Sequence, residues 1–413
     1  MTPPESACLV CGSADLLRFL DLPRVPVYCN VLLPTAAAAR KVARGDLTLA
    51  ICRKCGHVFN TAFDPKSVDY SDRYENSLHY SPLFRGYAEA LARELVERHG
   101  LRGRRIVEIA SGQGDFLRLL CRLGGNEGVG FDPSYRDAPP RDLLPAGEDN
   151  RAGEGDGTVR FVKTYYGAGI EKVAADFLCC RQALEHVPDP VKFLTGLRVA
   201  LSLSVPPGSP KQRTTLFFEV PNSLFSLRDG GIWDFIYEHV SYFCGRSLKG
   251  CFTRAGFTVQ RTWESFGGQF LCLEATWPAT RETAGIFAEV PPQERLVEYA
   301  TGLGDTVRTL VDQWRERLGQ LRREGQRAAI WGAGSKGVTF LNLLNAGDEI
   351  SYVVDINPEK HGMFTAGTGH AVISPDEITN APPDLVVCVN PQYREENTGM
   401  LAVRSLEIPV VAV

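Results

Sequence analysis

Residues 106–116 read Ile-Val-Glu-Ile-Ala-Ser-Gly-Gln-Gly-Asp-Phe, an apolar strand that runs into a short turn spaced by glycines. Gly112 and Gly114 have no Cβ atom, so a ligand can approach the backbone of this turn closely. A helix predicted from Asp115 presents its N-terminal amide groups at the same place. The spacing is Gly-x-Gly, without the third glycine of a dinucleotide-binding turn. The stretch therefore predicts a strand, a nucleotide-binding turn and a helix.

A second acidic position follows one strand later. Val129-Gly-Phe-Asp132 ends in a carboxylate about twenty residues after the turn, where it can accept hydrogen bonds from both hydroxyl groups of a ribose. This pairing resembles the S-adenosylmethionine site of class I methyltransferases, and an unrelated Rossmann ligand is the alternative. The residues expected to contact the ligand are Glu108, Ser111, Gly112, Gln113, Gly114, Phe131, Asp132 and Gln182.

Strand and helix patterns alternate from residue 101 to about residue 275. Such alternation indicates a mostly parallel sheet with helices on both faces, and ligands that bind beyond the carboxyl ends of the strands. The polar stretch 139–157 interrupts the pattern and is expected to be a surface excursion. The predicted strands are 105–109, 128–132, 159–165, 176–180, 215–220, 257–263 and 270–275, and helices are predicted from residues 84, 115 and 191.

A second unit of the same kind follows a charged helix predicted at 310–324. An apolar strand from Ala328 leads into Gly332-Ala-Gly-Ser-Lys-Gly337, and the next strand ends at Asp355. The glycine spacing, Gly-x-Gly-x-x-Gly, is that of a dinucleotide-binding turn, but no separate catalytic dyad is evident, so a nicotinamide cofactor is not expected. Lys336 and the turn amides are candidates to bind a substrate phosphate, and a turn that serves only packing is the alternative.

Composition and charge exclude several classes of function. The chain has 413 residues, 44% of them hydrophobic, which is enough for two or three cores at about 150 residues per domain. A net charge of −4 and a pI near 6.0 provide no basic field for nucleic acid. No apolar run approaches the roughly 18 residues that span a bilayer, and the N-terminus lacks signal-peptide features. We expect a cytoplasmic protein without membrane association.

Four of the twelve cysteines form two Cys-x-x-Cys-Gly pairs, Cys8 with Cys11 and Cys52 with Cys55. In a reducing compartment, four thiolates at this spacing predict a tetrahedral zinc site, with a redox role or chance pairing as alternatives. Four sulfur ligands leave no open coordination position, so the zinc would be structural. The long stretch between the pairs is expected to be an inserted loop, and His57 is surplus to the four sulfurs.

Two further stretches carry residues suited to chemistry or binding. Residues 64–82 are rich in tyrosine and predict a loop that acts as a ligand lid through Tyr70 and Tyr74, with interface packing as the alternative. Trp233-Asp-Phe-Ile-Tyr-Glu-His-Val-Ser-Tyr-Phe243 places His239 next to Glu238. A histidine can remove a proton at neutral pH, and a carboxylate can orient its ring. The alternative is an aromatic-rich helix that buries His239 in a core.

Taken together, these motifs resemble the three-domain sugar C-methyltransferases. The resemblance rests on the cysteine pairs, the Gly112 turn, Leu184-Glu-His-Val-Pro-Asp189, Tyr237-Glu-His-Val-Ser-Tyr-Phe243 and Trp331-Gly-Ala-Gly-Ser-Lys-Gly337. It implies an α/β protein with a small zinc-binding N-terminal module (1–65), a central class I methyltransferase domain with a Rossmann-like fold (66–280) and a second Rossmann-like domain at the C-terminus (281–413). The implied cofactors are S-adenosylmethionine and structural zinc, and the implied state is a monomer or small homo-oligomer.

The resemblance also implies a substrate and a reaction. Members of the family methylate a carbon next to a ketone in nucleotide-linked deoxysugars, of which a dTDP-linked sugar is the expected form here. The family's base histidine corresponds to His239, preceded by Glu238. Where the family has a tyrosine two places before that glutamate, this chain has Ile236, with Tyr237 adjacent.

The reaction needs a base and a donor to the enolate oxygen, and it needs no metal. His239 is the expected base, and Tyr237, His186 or Tyr74 are candidate donors. For His186, a purely structural role that stabilises the turn is the alternative. Methylation of an oxygen, a nitrogen or a non-sugar carbon, or non-catalytic binding of a nucleotide-sugar, are the competing functions.

Overall fold

A computed structural model of the protein describes residues 7–68, 77–136, 158–166, 174–204, 213–278 and 287–413. The predicted excursion 139–157 and both lid candidates, Tyr70 and Tyr74, lie outside these ranges.

The elements within the described ranges follow the predicted order. The strands are β1 (Leu16–Pro26), β2 (Arg44–Cys52), β3 (Val58–Asn60), β4 (Arg105–Ile109), β5 (Glu127–Phe131), β6 (Val159–Val162), β7 (Phe177–Arg181), β8 (Thr214–Pro221), β9 (Ser241–Tyr242), β10 (Thr258–Ser265), β11 (Phe270–Trp277), β12 (Ala328–Trp331), β13 (Ile350–Val354), β14 (Val372–Ile373), β15 (Leu385–Cys388) and β16 (Val410–Ala412). The helices are α1 (Ala36–Arg40), α2 (Pro82–His99), α3 (Asp115–Gly124), α4 (Pro190–Leu203), α5 (Ser223–Leu227), α6 (Gly245–Arg254), α7 (Gln293–Arg323), α8 (Ser335–Leu344) and α9 (Arg394–Val403). Short 3-10 turns include Leu184–His186 and Ile232–Asp234.

The N-terminal region forms an antiparallel sheet in the order β1-β2-β3-β9. The stretch between the cysteine pairs was expected to be a loop, but it contains β1, α1 and most of β2. Pro23 and Pro26 are tolerated in β1 because that strand lies at the sheet edge and needs no partner on its outer side. The last strand, β9, comes from the middle of the chain and pairs Val58 with Tyr242. The N-terminal sheet therefore holds the segment that directly follows His239.

The central region is a seven-stranded sheet in the order β10-β11-β8-β7-β4-β5-β6. The strands from β8 to β6 pair in parallel, while β11 and β10 pair antiparallel. Strand order reverses between β4 and β7, which places a crevice at the carboxyl ends of these two strands. Ile106 and Val107 are buried in β4, and Ser81 caps α2 by accepting a hydrogen bond from the Phe84 amide at 3.1 Å.

The C-terminal region is a second parallel sheet, ordered β14-β13-β12-β15-β16, with its reversal between β12 and β15. The long helix α7 leads into it and extends well beyond the predicted 310–324. Its apolar residues repeat every three or four positions and bury one stripe against both the N-terminal and the C-terminal sheets. The buried positions are Leu296, Ala300, Leu303, Val307, Val311, Trp314 and Leu318.

Backbone contacts join the first and the third of these regions directly. Leu33 and Phe364 exchange two hydrogen bonds of 2.8 and 3.0 Å, and the Gly367 amide donates to the carbonyl of Ala39 at 2.8 Å. None of the helices within the described ranges is long and apolar enough to span a bilayer. The α/β class and the two Rossmann-like sheets predicted from the sequence are confirmed.

Candidate functional site

The four predicted zinc ligands converge at the start of the N-terminal sheet. The sulfur of Cys8 lies 3.5 Å from that of Cys55, and the sulfur of Cys11 lies 3.5 Å from that of Cys52. Tetrahedral zinc with Zn–S bonds of about 2.3 Å requires S–S separations of about 3.8 Å, so this arrangement fits the metal. The glycine after each pair adopts a left-handed conformation, with φ of 72° at Gly12 and 75° at Gly56. The cysteine pairs therefore close two knuckles around one metal position.

A cavity of about 450 Å³ opens at the carboxyl ends of β4 and β7. Its volume is in the range of cofactor sites, and its mouth is at the strand-order reversal. Seven of the eight residues predicted to contact a nucleotide ligand line it: Glu108, Ser111, Gly112, Gln113, Phe131, Asp132 and Gln182. Gly114 is not among the lining residues. A Cβ atom there would lie 2.0 Å from the Phe161 ring, so this glycine is required by close packing behind the turn.

The carboxylate of Asp132 connects the glycine turn to the next strand. One oxygen accepts the Gly112 amide at 2.8 Å, and the other accepts the amide and hydroxyl of Ser134 at 2.7 and 2.6 Å. These bonds fix the carboxylate at the cavity wall, and its remaining lone pairs can accept ribose hydroxyl groups. The residues present thus fit S-adenosylmethionine, which would be held by Asp132 and the turn around Gly112.

Two non-glycine residues of the cavity adopt left-handed backbone conformations that the sequence did not indicate. Ala110 has φ of 54°, and Gln182 has φ of 50°. Such conformations cost about 1 to 3 kcal/mol each and gather at functional sites. Gln182 is held in place through Glu219, which accepts its side-chain amide at 3.2 Å and its backbone amide at 2.8 Å. Both strained positions line the first cavity.

Glu108 is buried behind the turn with an exposed fraction of only 3%. Burial raises the pKa of its carboxyl group to about 8, while the nearby Arg181 guanidinium acts in the opposite direction. Arg181 is itself held by the Glu219 carboxylate at 2.9 Å and lies 4.2 Å from the centre of the Phe116 ring. Glu108 and the Arg181–Glu219 ion pair are therefore buried together beneath the cavity.

A second cavity, of about 250 Å³, lies between the central and the C-terminal sheets. Its lining includes His239 and Asp234, together with Gly332 and Lys336 from the glycine turn of the C-terminal sheet. Four residues, Ser77, Leu78, Gln182 and His186, line both cavities. A ligand in the first cavity and a ligand in the second can therefore meet at Gln182 and His186.

His239 lies on the loop between the Ile232–Asp234 turn and β9, so it is not part of a helix. It is 8% exposed, and its Nδ1 atom has no hydrogen-bond partner within the described ranges. Burial lowers the pKa of the ring well below its usual value, and His186 and Lys336 lower it further, although a hydrogen bond to the backbone of Asp234 opposes them. His239 is therefore neutral at pH 7 and able to accept a proton.

His186 lies beside His239, with ring centres 4.9 Å apart. Its Nδ1 atom donates to the backbone carbonyl of Glu238 at 3.0 Å, because a carbonyl oxygen can only accept. Burial lowers the pKa of His186 to about 4. The neutral ring therefore carries its hydrogen on Nδ1 and a lone pair on Nε2.

Glu238 and Tyr237 are engaged by the N-terminal region. The Oε2 atom of Glu238 accepts the backbone amide of Cys29 at 2.8 Å, and the Tyr237 hydroxyl accepts the backbone amide of Asp64 at 2.9 Å. Tyr237 lines neither cavity. Ile236 is buried against Cys29 and residues of the C-terminal region. The structure thus brings His239, His186 and Lys336 together at the second cavity and places Tyr237 elsewhere.

Lys336 forms an ion pair with Asp234 at the wall of the second cavity. The carboxylate that would bind a dinucleotide ribose, Asp355, is already occupied by the Ala333 amide at 2.7 Å and the Lys360 ammonium at 3.3 Å. Gly337 allows α8 to approach the turn, because a Cβ atom there would lie 2.1 Å from the Gly332 carbonyl oxygen. These contacts hold the Gly332 turn against the end of β13 and the start of α8.

Three family models match the chain in sequence order. Residues 8–70 match a zinc binding domain, residues 82–262 match a methyltransferase domain, and residues 291–403 match a C-methyltransferase C-terminal domain. No curated protein matches the sequence at a significant level. The chain is an S-adenosylmethionine-dependent methyltransferase. It belongs to the three-domain C-methyltransferase family, with zinc bound by its N-terminal module.

Solved structures resemble the chain over about half its length. Magnesium protoporphyrin IX methyltransferase from Synechocystis PCC 6803 is 16% identical, covers 47% of this chain and 83% of its own, and superposes with a TM-score of 0.31. The 1,6-didemethyltoxoflavin-N1-methyltransferase from Burkholderia thailandensis is 17% identical, with 53% and 95% coverage and a TM-score of 0.33. At such low TM-scores, neither similarity bears on the substrate of this chain.

Proposed function

We propose that this methyltransferase transfers a methyl group to the carbon next to a ketone in a nucleotide-linked deoxysugar, a dTDP-linked sugar being the first candidate. One observation carries the proposal: the cavity around Asp132 and the cavity around His239 share Gln182 and His186. A methyl donor and a methyl acceptor in these two cavities would therefore meet beside a buried, neutral histidine.

S-adenosylmethionine, when bound, supplies an electrophilic methyl group. The chain supplies the activation of the acceptor. A ketone acidifies the neighbouring C–H bond, and His239 takes that proton because its ring is neutral at pH 7. The walls of the two cavities hold the reactants in register, which by itself can remove several kcal/mol of the barrier. Because His239 is only 8% exposed, water has little access to the carbanion that forms.

The C-terminal region would bind the nucleotide part of the acceptor. Lys336 and the first amides of α8 face the second cavity, where a diphosphate could be held, and Lys336 is kept in place by Asp234. We also propose the domain division of 1–65, 66–280 and 281–413, in which the third domain binds the sugar nucleotide. We further propose a cytoplasmic monomer or small homo-oligomer, in keeping with reduced cysteines.

Mass spectrometry of products from a panel of nucleotide-linked keto-sugars tests the function. We expect a mass gain of one methyl group on carbon with at least one panel member. Without the methyl donor, the wild type should exchange the proton next to the ketone for deuterium, and His239→Ala should abolish that exchange. An oxygen- or nitrogen-methylated product, or exchange that persists in His239→Ala, would contradict the proposal.

Binding of S-adenosylhomocysteine provides the control. Calorimetry should show binding to the wild type and to His239→Ala with similar affinity, because His239 does not line the first cavity. Asp132→Ala should bind at least tenfold more weakly, since it removes the ribose acceptor. If neither the wild type nor His239→Ala binds, the placement of the methyl donor in the first cavity is wrong.

A further inference from the structure

The acceptor cavity contains a buried carboxyl group that the sequence analysis did not assign. Glu185 lies in the turn Leu184–His186, shortly after Gln182, and it lines the second cavity. It is only 1% exposed, and its Oε2 atom has no hydrogen-bond partner within the described ranges. An unpaired carboxyl oxygen in a buried wall is costly unless a ligand or its own proton compensates it.

Glu185 is close to both histidines of the site. One of its oxygens lies 3.9 Å from the Nε2 atom of His186, and one side-chain atom of each of Glu185, His186 and His239 lies within 4.8 Å of the other two. The backbone holds this cluster together, since the amide of Val240 donates to the carbonyl of Glu185 at 2.9 Å. The loop of His239 is therefore fixed onto the turn that carries Glu185.

The proposed reaction needs a hydrogen-bond donor for the enolate oxygen, and the other candidates within the described residues are committed elsewhere. The Tyr237 hydroxyl accepts the Asp64 amide outside the cavity, and Ile236 stands where the resemblance implies a tyrosine. His186 presents a lone pair rather than a hydrogen at Nε2. The ammonium group of Lys336 is paired with Asp234. Among these groups, a protonated Glu185 is the one that can donate from within reach of the base.

We propose that Glu185 is a further catalytic residue, a neutral carboxylic acid that donates a hydrogen bond to the oxygen of the ketone as it becomes an enolate. The inference rests on the proposed function. A base and a donor must reach atoms two bonds apart, each over a hydrogen-bond distance, so they must stand within a few ångströms of each other, as Glu185 and His239 do.

The surroundings of Glu185 keep it protonated. Burial raises the pKa of its carboxyl group to about 8, and the charge of Glu219 raises it further, while a bond from its own backbone amide lowers it. The titratable groups that face it across the turn, β8 and the cavity are His186, His239, Glu219, Cys180, Asp234 and Lys336. Both histidines are neutral at pH 7, and Lys336 is paired with Asp234, so burial remains the main influence on the carboxyl group.

The proton and electron pairs balance. His239 takes the proton from the carbon next to the ketone, the C–H electron pair forms the carbon–carbon double bond of the enolate, and the carbonyl electron pair moves to oxygen. Glu185 keeps its proton throughout and stabilises that oxygen. A carboxylic acid held neutral by an apolar site plays this part in ketosteroid isomerase, and removing one such donor typically costs about 100- to 1,000-fold in kcat.

Three variants test the role of Glu185 in the full-length enzyme. Glu185→Leu should lower kcat about 100-fold with KM little changed. We expect the wild-type kcat to decline above pH 8. Glu185→Gln keeps a donor that cannot ionise, so its decline should be smaller. Glu274→Gln alters a buried glutamate of β11 outside both cavities and should leave the wild-type profile unchanged. A kcat of Glu185→Leu within threefold of the wild type, or an alkaline decline in Glu185→Gln as large as that of the wild type, overturns the inference.

A direct readout does not depend on turnover. The infrared difference spectrum of the wild type minus Glu185→Gln at pH 7 should contain a protonated carboxyl band, and a carboxylate band in its place overturns the inference. The band of the protonated Glu108 cancels, because both proteins contain it. Metal analysis should find zinc at one equivalent in both proteins. A second metal lost in Glu185→Gln also overturns it, because a metal-bound carboxylate is ionised. If the wild type methylates oxygen, the proposed function fails as well, whereas C-methylation with an unaffected Glu185→Leu overturns only this inference.

Discussion

The Nδ1 atom of His186 lies 3.0 Å from the backbone carbonyl oxygen of Glu238 and donates its hydrogen to it. The two residues are 52 positions apart in the chain, so this bond joins the end of β7 to the loop of His239. It sets the tautomer of His186 and the position of the carbonyl beside the proposed base.

Replacing His186 should show how much its hydrogen bond to Glu238 contributes to the free energy of unfolding. His186→Leu leaves the buried carbonyl of Glu238 without its donor, which should lower the free energy of unfolding by about 1 to 3 kcal/mol. His186→Asn supplies an amide hydrogen near the position of Nδ1 and should recover most of this loss. Urea unfolding of both variants measures the difference. Equal stability of the two variants would show that the bond to Glu238 contributes little.

The rate should remain high in mildly acidic buffer. A base works when it is unprotonated, and the pKa of His239 is held well below 6.5, first by burial. His239 is therefore fully unprotonated at pH 7, and it becomes protonated only as the pH falls through its lowered pKa. We expect kcat at pH 6 to equal kcat at pH 7.5. A decline centred at pH 6.5, in protein that circular dichroism shows to be folded, would contradict this.

Glu108 should make stability depend on pH in the opposite sense from an ordinary carboxylate. The pKa of Glu108 is about 8 in the folded protein and near 4.5 in the unfolded chain. Its contribution to stability is therefore fully present below pH 4.5 and is lost as the pH rises through about 8. Glu108→Gln removes this loss. Relative to the wild type, we expect it to gain on the order of 1 kcal/mol between pH 7 and pH 9 in urea unfolding. A difference that does not change with pH would be the contrary result.

The left-handed conformation of Ala110 predicts a stabilising substitution. With φ of 54°, Ala110 occupies a region that glycine adopts freely, so Ala110→Gly should raise the free energy of unfolding by a few tenths to about 1 kcal/mol. Ala90 is an exposed alanine inside α2, where the same change should cost about 1 kcal/mol. The unfolding temperatures of the two variants should therefore shift in opposite directions. Shifts of the same sign would show that the backbone of Ala110 is not strained.

Zinc should support catalysis from a distance. The metal holds β2 and β3 through Cys52 and Cys55, and β3 pairs with β9, which starts two residues after His239. Cys52→Ser should lose zinc and lower kcat at least tenfold. Cys121→Ala, at a buried cysteine of α3, should keep one zinc and most of the activity. Metal analysis combined with kcat decides the matter, and full activity in a zinc-free Cys52→Ser protein would disprove the coupling.

Sequence periodicity predicted the two parallel sheets well. Strand β4 has the predicted bounds, and other strands of the central sheet lie close to theirs, because buried parallel strands are continuous apolar runs bounded by turns. The N-terminal hairpin was missed because its edge strand is interrupted by prolines and bulges. The two-residue strand β9 has no local signal, since its pairing with β3 depends on residues more than 180 positions away.

The sequence predicted those parts of the site that depend on local order and missed those that depend on contacts between distant residues. Asp132 and Gly112 belong to one strand–turn–helix unit, so their proximity follows from local order. The bond from Cys29 to Glu238 spans 209 positions, and no local pattern could indicate it. The unpaired carboxyl group of Glu185 depends on the same long-range packing. The sequence does contain one signal for this pair, because Glu185 and His186 are two ionisable residues that closely follow the end of a predicted strand.

The bonds between Leu33 and Phe364 and between Ala39 and Gly367 have an evolutionary consequence. They attach the N-terminal region directly to the C-terminal region, and the N-terminal sheet also pairs with β9 from the middle of the chain. A recombination event that exchanged only the C-terminal region for that of a relative with another acceptor would bring an unmatched backbone edge against residues 33–39. Changes of acceptor should therefore be inherited with compensating changes near the N-terminus, so that the two ends diverge as a matched pair.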